Sequence, residues 1–314
     1  MNIFNGYRKS SLMNRLPIRL QRTHLPVIGG LVPWMQLTKL PLCLLVAFSS
    51  LFGSVLAGPV RIPQIVLTTM GMLLLACGCA ALNSLQEIRL DASMARTKKR
   101  PLPQGSILGK PAAILTLLLI VAGTSVLYLG SYLIITLCLS LAAVVFYNVL
   151  YTRLKKRTIA AIIPGAISGA LPPYIGWTSA GGDPFSATAL QLSVLFILWQ
   201  VPHSLLILLR HKDDYLHNAL PSLVKILPES SLKRICSVWI GAFITAVLFL
   251  CVVPLGFTNA VKVLLHISVW VLFVTLWIQL NRVRKPDYHF LSIQLNVYLF
   301  FLMAILAGDR IFLS

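Results

Sequence analysis

The chain has only eight acidic residues among 314, and four of them form two pairs. Glu87 and Asp91 stand in Asn83-Ser-Leu-Gln-Glu87-Ile-Arg-Leu-Asp91, and Asp213 and Asp214 are adjacent in Arg210-His-Lys-Asp213-Asp214-Tyr215. On a helix, the i, i+4, i+8 spacing stacks the Asn83 amide and both carboxylates on one face, where like charges repel. A divalent cation lying between the carboxylates and a partner would explain that placement. Mg2+ is the hard, oxygen-seeking ion these residue types suit.

The basic residues that follow suit an anion carried by such a metal. Arg96, Lys98, Lys99 and Arg100 come directly after Asp91, in a stretch stiffened by Pro101 and Pro103 and closed by Gly105. Arginine forks grip phosphate oxygens in pairs, while lysine supplies a compact charge. A further run, Tyr151-Thr-Arg153-Leu-Lys155-Lys156-Arg157-Thr158, puts Tyr151 and Lys155 on one face if the preceding helix continues for another turn. Together these residues suit a metal-bound diphosphate. The competing reading of each basic run is a topology anchor, because cytoplasmic loops of membrane proteins are rich in Lys and Arg.

These groups must be positioned by a chain that is 57% hydrophobic and 11% charged, too apolar for one water-soluble core. Lipid is then the solvent, and in lipid the backbone has to satisfy itself, so the expected fold is all-α. Apolar runs long enough to cross hydrocarbon fall near residues 42–57, 66–84, 112–129, 132–150, 159–177, 190–209, 235–253, 261–280 and 289–308. The net charge of +19 takes its meaning from its location rather than from nucleic acid, for which nothing else speaks. With the N-terminus in the cytoplasm, that side holds 24 of the 27 Lys and Arg residues, and only Arg61, Lys262 and Arg310 lie outside. Nine spans with the C-terminus outside therefore satisfy the positive-inside rule at every loop.

Residues 1–36 read as a basic cytoplasmic tail and 37–314 as the transmembrane domain. The tail has no apolar stretch ending in a small-residue cleavage site, so no removed signal peptide is expected. The six cysteines form no CxxC pair and read as packing residues.

Both acidic pairs fall on the cytoplasmic side and could share one cavity. The sixth span ends in Trp199-Gln200-Val-Pro202-His203, where Pro202 is expected to kink or open the helix and aim side chains inward. His203 has two readings, a helix–helix hydrogen-bond partner or a substrate contact.

Taken in order, these segments resemble the UbiA-type intramembrane prenyltransferases, from Leu37 to about Leu223. The likeness rests on Leu37-Thr38-Lys39, on Asn83 with Asp91, Met94, Arg96-Thr97 and Arg100-Pro101-Leu102, and on Tyr151-Thr152, Leu154-Lys155 and Arg157-Thr158. It continues through Gly169, Pro172-Pro173, Gly176-Trp177, Trp199-Gln200, Pro202-His203 and Lys212-Asp213-Asp214-Tyr215, the last set favouring the heme branch of the family. Glu87 stands where that family usually has Asp, Arg89 where it often has another acid, and Ser204 where it has Phe.

The resemblance implies a helical bundle whose two acidic segments face each other across a central cavity. It implies Mg2+ held by Glu87, Asp91, Asp213 and Asp214, a diphosphate oriented by Asn83 and gripped by Arg96, Lys99, Arg100, Tyr151 and Lys155, and an acceptor met by Trp199, His203 and Tyr215. The implied reaction moves a farnesyl group from farnesyl diphosphate to a vinyl group of heme b, giving heme O, in a bacterial or mitochondrial inner membrane. Expected partners within the bilayer are a second copy of the chain or another enzyme of heme synthesis. Three other readings stay open: an aromatic or lipid acceptor, a non-catalytic heme-binding paralogue and a transporter. The transporter is disfavoured because charge crowds one interface instead of reaching mid-membrane.

Overall fold

Each apolar run becomes one helix. The computed structural model describes residues 30–58, 61–131, 133–252, 256–282 and 285–312, so most of the expected tail lies outside the described residues. Its last part, Leu31–Leu37, forms a short helix. The nine spans are Leu40–Ala57, Ile62–Gln86, Gly109–Ser131, Ile134–Leu154, Ile159–Ser179, Ala187–Arg210, Glu229–Leu250, Asn259–Asn281 and Tyr288–Phe312, hereafter spans 1 to 9.

Their starts carry ordinary helix signals. Proline occupies the first turn of spans 1 and 2, where its missing N–H costs nothing. Ser186 and Thr258 cap spans 6 and 8 by accepting hydrogen bonds from the amides of Ala189 (3.2 Å) and Val261 (3.4 Å).

Lipid offers no hydrophobic drive to bring helices together, so close packing falls to small residues. A Cβ on Gly53 would run into the carbonyl oxygen of Pro173, and one on Gly176 into that of Ser50, so spans 1 and 5 touch backbone to backbone. Ser54 Oγ seals that seam by donating to the Gly176 carbonyl at 3.0 Å. Around it, spans 1 and 5 to 9 bury Phe52, Leu195, Leu206, Phe243, Leu276 and Leu302, while Leu117, Val121, Trp270 and Val271 stay exposed where lipid would cover them.

Because helices alternate in direction, spans 2, 4 and 6 end on the same face, and the local irregularities sit there. Span 2 breaks at Glu87 (φ −115°, ψ 11°), and a short helix, Ile88–Ser93, resumes beyond it. Span 4 widens into a π-helix over Val145–Tyr151 before a last turn at Thr152–Leu154. Lys39, just ahead of span 1, is the one described non-glycine residue with positive φ (52°). Pro202 lies inside span 6, and the helix runs on through it to Arg210.

Candidate active site

The end of span 2 forms a line of three polar groups, each met by a cation. Asn83, buried, accepts from Lys39 Nζ at 2.9 Å through Oδ1 and donates to Thr152 Oγ1 at 3.1 Å through Nδ2. One turn on, Glu87 is 4% exposed, and its carboxylate straddles Lys155 Nζ. Oε2 accepts the hydrogen bond at 2.8 Å, and Oε1 stands in ion-pair contact at 2.7 Å outside hydrogen-bond geometry. A further turn on, Asp91 is 3% exposed and receives Arg100 Nη1 on both oxygens, at 2.9 and 2.8 Å. Thr97 Oγ1 donates to the Asp91 carbonyl at 2.9 Å, which folds the basic loop back so that Arg100 can reach.

Two local features make this convergence possible. A π-helix takes one extra residue per turn, which rotates everything after it by about 100° relative to an α-helix. That rotation faces Thr152 and Lys155 toward span 2. The Lys155 ammonium also sits 4.9 Å from the centre of the Tyr151 ring, which stacks on Tyr147 at 5.8 Å. Gly165 leaves space for that ring, since a Cβ there would lie 3.0 Å from Tyr151 Cδ2.

Burial, then the neighbouring Arg100 and Lys155 charges, push the Lys39 ammonium down to about 8, against the pull of Glu87 and Asp91. Burial is also the largest influence on Lys155, but Tyr151 and Glu87 together outweigh it and hold that amine above the usual lysine value. The Tyr215 hydroxyl is pushed up, first by burial and then by Tyr151, while Arg96 and Lys155 pull the other way. Tyr215 therefore lies within electrostatic reach of the span 2 cluster.

The remaining expected residues divide clearly. Asp213 is exposed and Asp214 half-buried, in the short helix Lys212–Leu216 that carries Tyr215. Neither carboxylate makes an ion pair among the described residues. Among those residues no three His, Cys, Asp or Glu side chains gather closely enough to hold a metal, so the expected four-carboxylate set is present as two half-sites. Arg96 is exposed and lies within electrostatic reach of His211 and Tyr215. Lys99 and Arg89 are exposed and outside the ring of contacts. Deeper in span 6, the Trp199 and His203 rings stack at 4.6 Å, and His203 Nδ1 lies 2.8 Å from Asn296 Oδ1 of span 9.

Lys39 and Thr152 belong to the cluster yet were visible in the sequence only as motif letters. The one clue was a lone lysine directly before an apolar run. Two other acids are structural: Glu229 ties Lys212 (2.9 Å) to Tyr288 Oη (2.6 Å), and the buried Asp309 accepts from the Thr258 amide (3.0 Å) and hydroxyl (2.6 Å) at the far end of the bundle.

The profile of the UbiA prenyltransferase family matches residues 45–305. This chain belongs to that family. Similar proteins include a protoheme IX farnesyltransferase from Nitratidesulfovibrio vulgaris, 38% identical over 212 residues that span 68% of this chain and 74% of the relative. Another, from Oleidesulfovibrio alaskensis, is 32% identical over 86% of this chain and 93% of its own. Among solved structures, a UbiA homolog from Aeropyrum pernix K1 superposes with a TM-score of 0.68 at 17% identity, covering 87% of this chain and 99% of that one. A UbiA homolog from Archaeoglobus fulgidus bound to GPP and Mg2+ gives 0.59 at 13% identity, with the same coverage. The bundle is thus a UbiA fold, and the chain is a multi-pass membrane prenyltransferase. Glu87, Asp91 and the Asp213–Asp214 segment offer this UbiA chain only oxygen donors, the set that Mg2+ takes.

Proposed function

We propose that the chain farnesylates heme b, transferring the prenyl group of farnesyl diphosphate to a heme vinyl group to give heme O. In this reading the site faces the cytoplasm or matrix of an inner membrane, the side to which the basic loops assign it. The observation that carries the reading is that two buried carboxylates, Glu87 and Asp91, are each neutralised by a cation on a neighbouring segment, Lys155 and Arg100. The carboxylates would be free to hold a metal, and the cations to donate to phosphate oxygens, if each pair gave up its present partner.

Glu87, Asp91, Asp213 and Asp214 would hold Mg2+, which would supply positive charge to the leaving diphosphate. Asn83 orients that group. Lys39, Arg100, Tyr151 and Lys155 donate to its oxygens as negative charge develops on them, and Arg96 and Lys99 draw it in from solution. The allylic C–O bond breaks with its electron pair going to diphosphate, and the vinyl π electrons close on the farnesyl carbon. Water then adds to the resulting cation and loses a proton, leaving the hydroxyethylfarnesyl side chain. Apolar spans around the tail keep water from the allylic cation before the vinyl group reaches it.

The two relatives named protoheme IX farnesyltransferase support heme as acceptor. Arg89 is exposed and makes no ion pair with Glu87 or Asp91. The test is a Mg2+-dependent assay of purified protein in detergent with farnesyl diphosphate and heme b, reading heme O by mass, with Asp91→Asn as control. Heme O formation abolished by the substitution supports the reading. Mg2+-dependent diphosphate release with an aromatic or lipid acceptor alone moves the chain to a sister branch, and no turnover with any acceptor makes it a binding protein.

A further inference from the structure

The pair His203 and Asn296 joins spans 6 and 9 within the bundle, seven residues inward from Arg210, or about 10 Å along the helix. An asparagine Oδ1 has no proton to give, so the 2.8 Å contact requires the proton to reside on His203 Nδ1. Nε2 makes no hydrogen bond among the described residues, and in the neutral ring with its proton on Nδ1 it carries the lone pair. Trp199, stacked 4.6 Å from the ring one turn earlier, stops the imidazole from swinging. One turn beyond Asn296, Phe300 stacks on Phe48 of span 1 at 4.7 Å and ties span 9 to span 1.

An oriented neutral imidazole, one N–H held by an uncharged oxygen and the other nitrogen bare, is the arrangement found where histidine binds a metal. In a site that receives an iron porphyrin, the metal within reach is the porphyrin's own iron, for which imidazole is a common axial ligand. We propose that Asn296 is a positioning residue of the acceptor site, holding the Nδ1 proton of His203 so that Nε2 binds the iron of the incoming heme. This rests on the heme reading above. Iron ligation pins the macrocycle at its centre and lets it present a vinyl group at its edge toward the cluster on span 2.

The test is spectroscopic. Full-length protein in detergent is titrated with ferric heme b, and absorption and electron paramagnetic resonance spectra are recorded for the wild type, His203→Ala, Asn296→Ala and Asn296→Asp, beside farnesyl diphosphate binding as a check of folding. Nitrogen ligation is expected in the wild type, lost in His203→Ala and restored by added imidazole. Asn296→Ala should weaken heme binding by about 10- to 100-fold, the usual effect of removing a ligand's hydrogen-bond partner. Asn296→Asp, which keeps an acceptor and adds charge, should retain ligation and lower the heme midpoint potential. A merely structural hydrogen bond would leave spectrum and potential unchanged, and that result in variants that still bind the diphosphate overturns the proposal while the heme reading stands. A wild type that binds no heme overturns both.

Discussion

Lys155 Nζ lies 2.7 Å from Glu87 Oε1, although 68 residues of chain separate the two. The pair closes the gap between spans 2 and 4 and sets a cation against a buried carboxylate. Removing one partner of a fully buried pair costs about 3–5 kcal/mol, because the other charge is stranded. Lys155 reaches solvent in part, so Lys155→Met should cost less, about 2 kcal/mol, and lower the thermal midpoint. The double variant Glu87→Gln/Lys155→Met should recover most of that stability and none of the turnover. A double variant no more stable than Lys155→Met would show that the pair does not couple.

Asp91 and Asp309 are both buried acids with different expected phenotypes. Asp91→Asn should reduce prenyl transfer by about 10²- to 10³-fold, the scale of losing one transition-state stabiliser, and lower the midpoint as well, because Arg100 loses its counter-charge while keeping one acceptor. Asp309→Ala strands the Thr258 amide and hydroxyl, which costs about 1–3 kcal/mol, and should lower the midpoint while leaving turnover per folded molecule intact. Paired melting curves and initial rates distinguish the two.

Lys39 should make diphosphate binding take up protons. Its amine sits at about 8 in the folded chain, below the usual lysine value, and an arriving anion favours the charged form. Binding measured calorimetrically at pH 8.5 in buffers of different ionisation enthalpy should show uptake that fades below pH 7 and vanishes in Lys39→Met. The same depression means that the unfolded chain binds more protons between about 8 and the free lysine value, so stability should rise with pH across that window. Uptake unchanged in Lys39→Met would assign it to another group.

Gly176→Val should destabilise the bundle by forcing apart spans 1 and 5, which meet at the Ser50 carbonyl. Overpacking of this kind costs about 1–3 kcal/mol. Gly241→Ala, where a new Cβ meets nothing within 4 Å, is the matched control. Equal midpoints for the two would refute the backbone contact.

All nine spans were readable from the sequence because a run of about 20 apolar residues has no soluble explanation. Most ends differ by a few residues. Span 7 starts at Glu229 rather than 235 because Glu229 and Lys233 form an i, i+4 pair that carries the helix out of the hydrocarbon. The face of Asn83, Glu87 and Asp91 was legible from spacing, and Tyr151 with Lys155 from the assumption of one extra turn. The pairing of each acid with a particular cation was not. It depends on the break at Glu87, the π-helical turn at Val145–Tyr151 and the left-handed backbone of Lys39, and none of these leaves a mark in hydrophobic periodicity. Pro202 lies in a continuous helix because a proline costs one backbone hydrogen bond, which a membrane-spanning helix packed among others tolerates.

The inner ring of Lys39, Arg100, Lys155, Glu87 and Asp91 contains three cations and two anions, leaving one positive charge in excess. At the rim of the hydrocarbon an uncompensated charge is costly, so that excess draws an anion in and turns a further cation away. The end of span 2 thus sorts what approaches it by the sign of its charge.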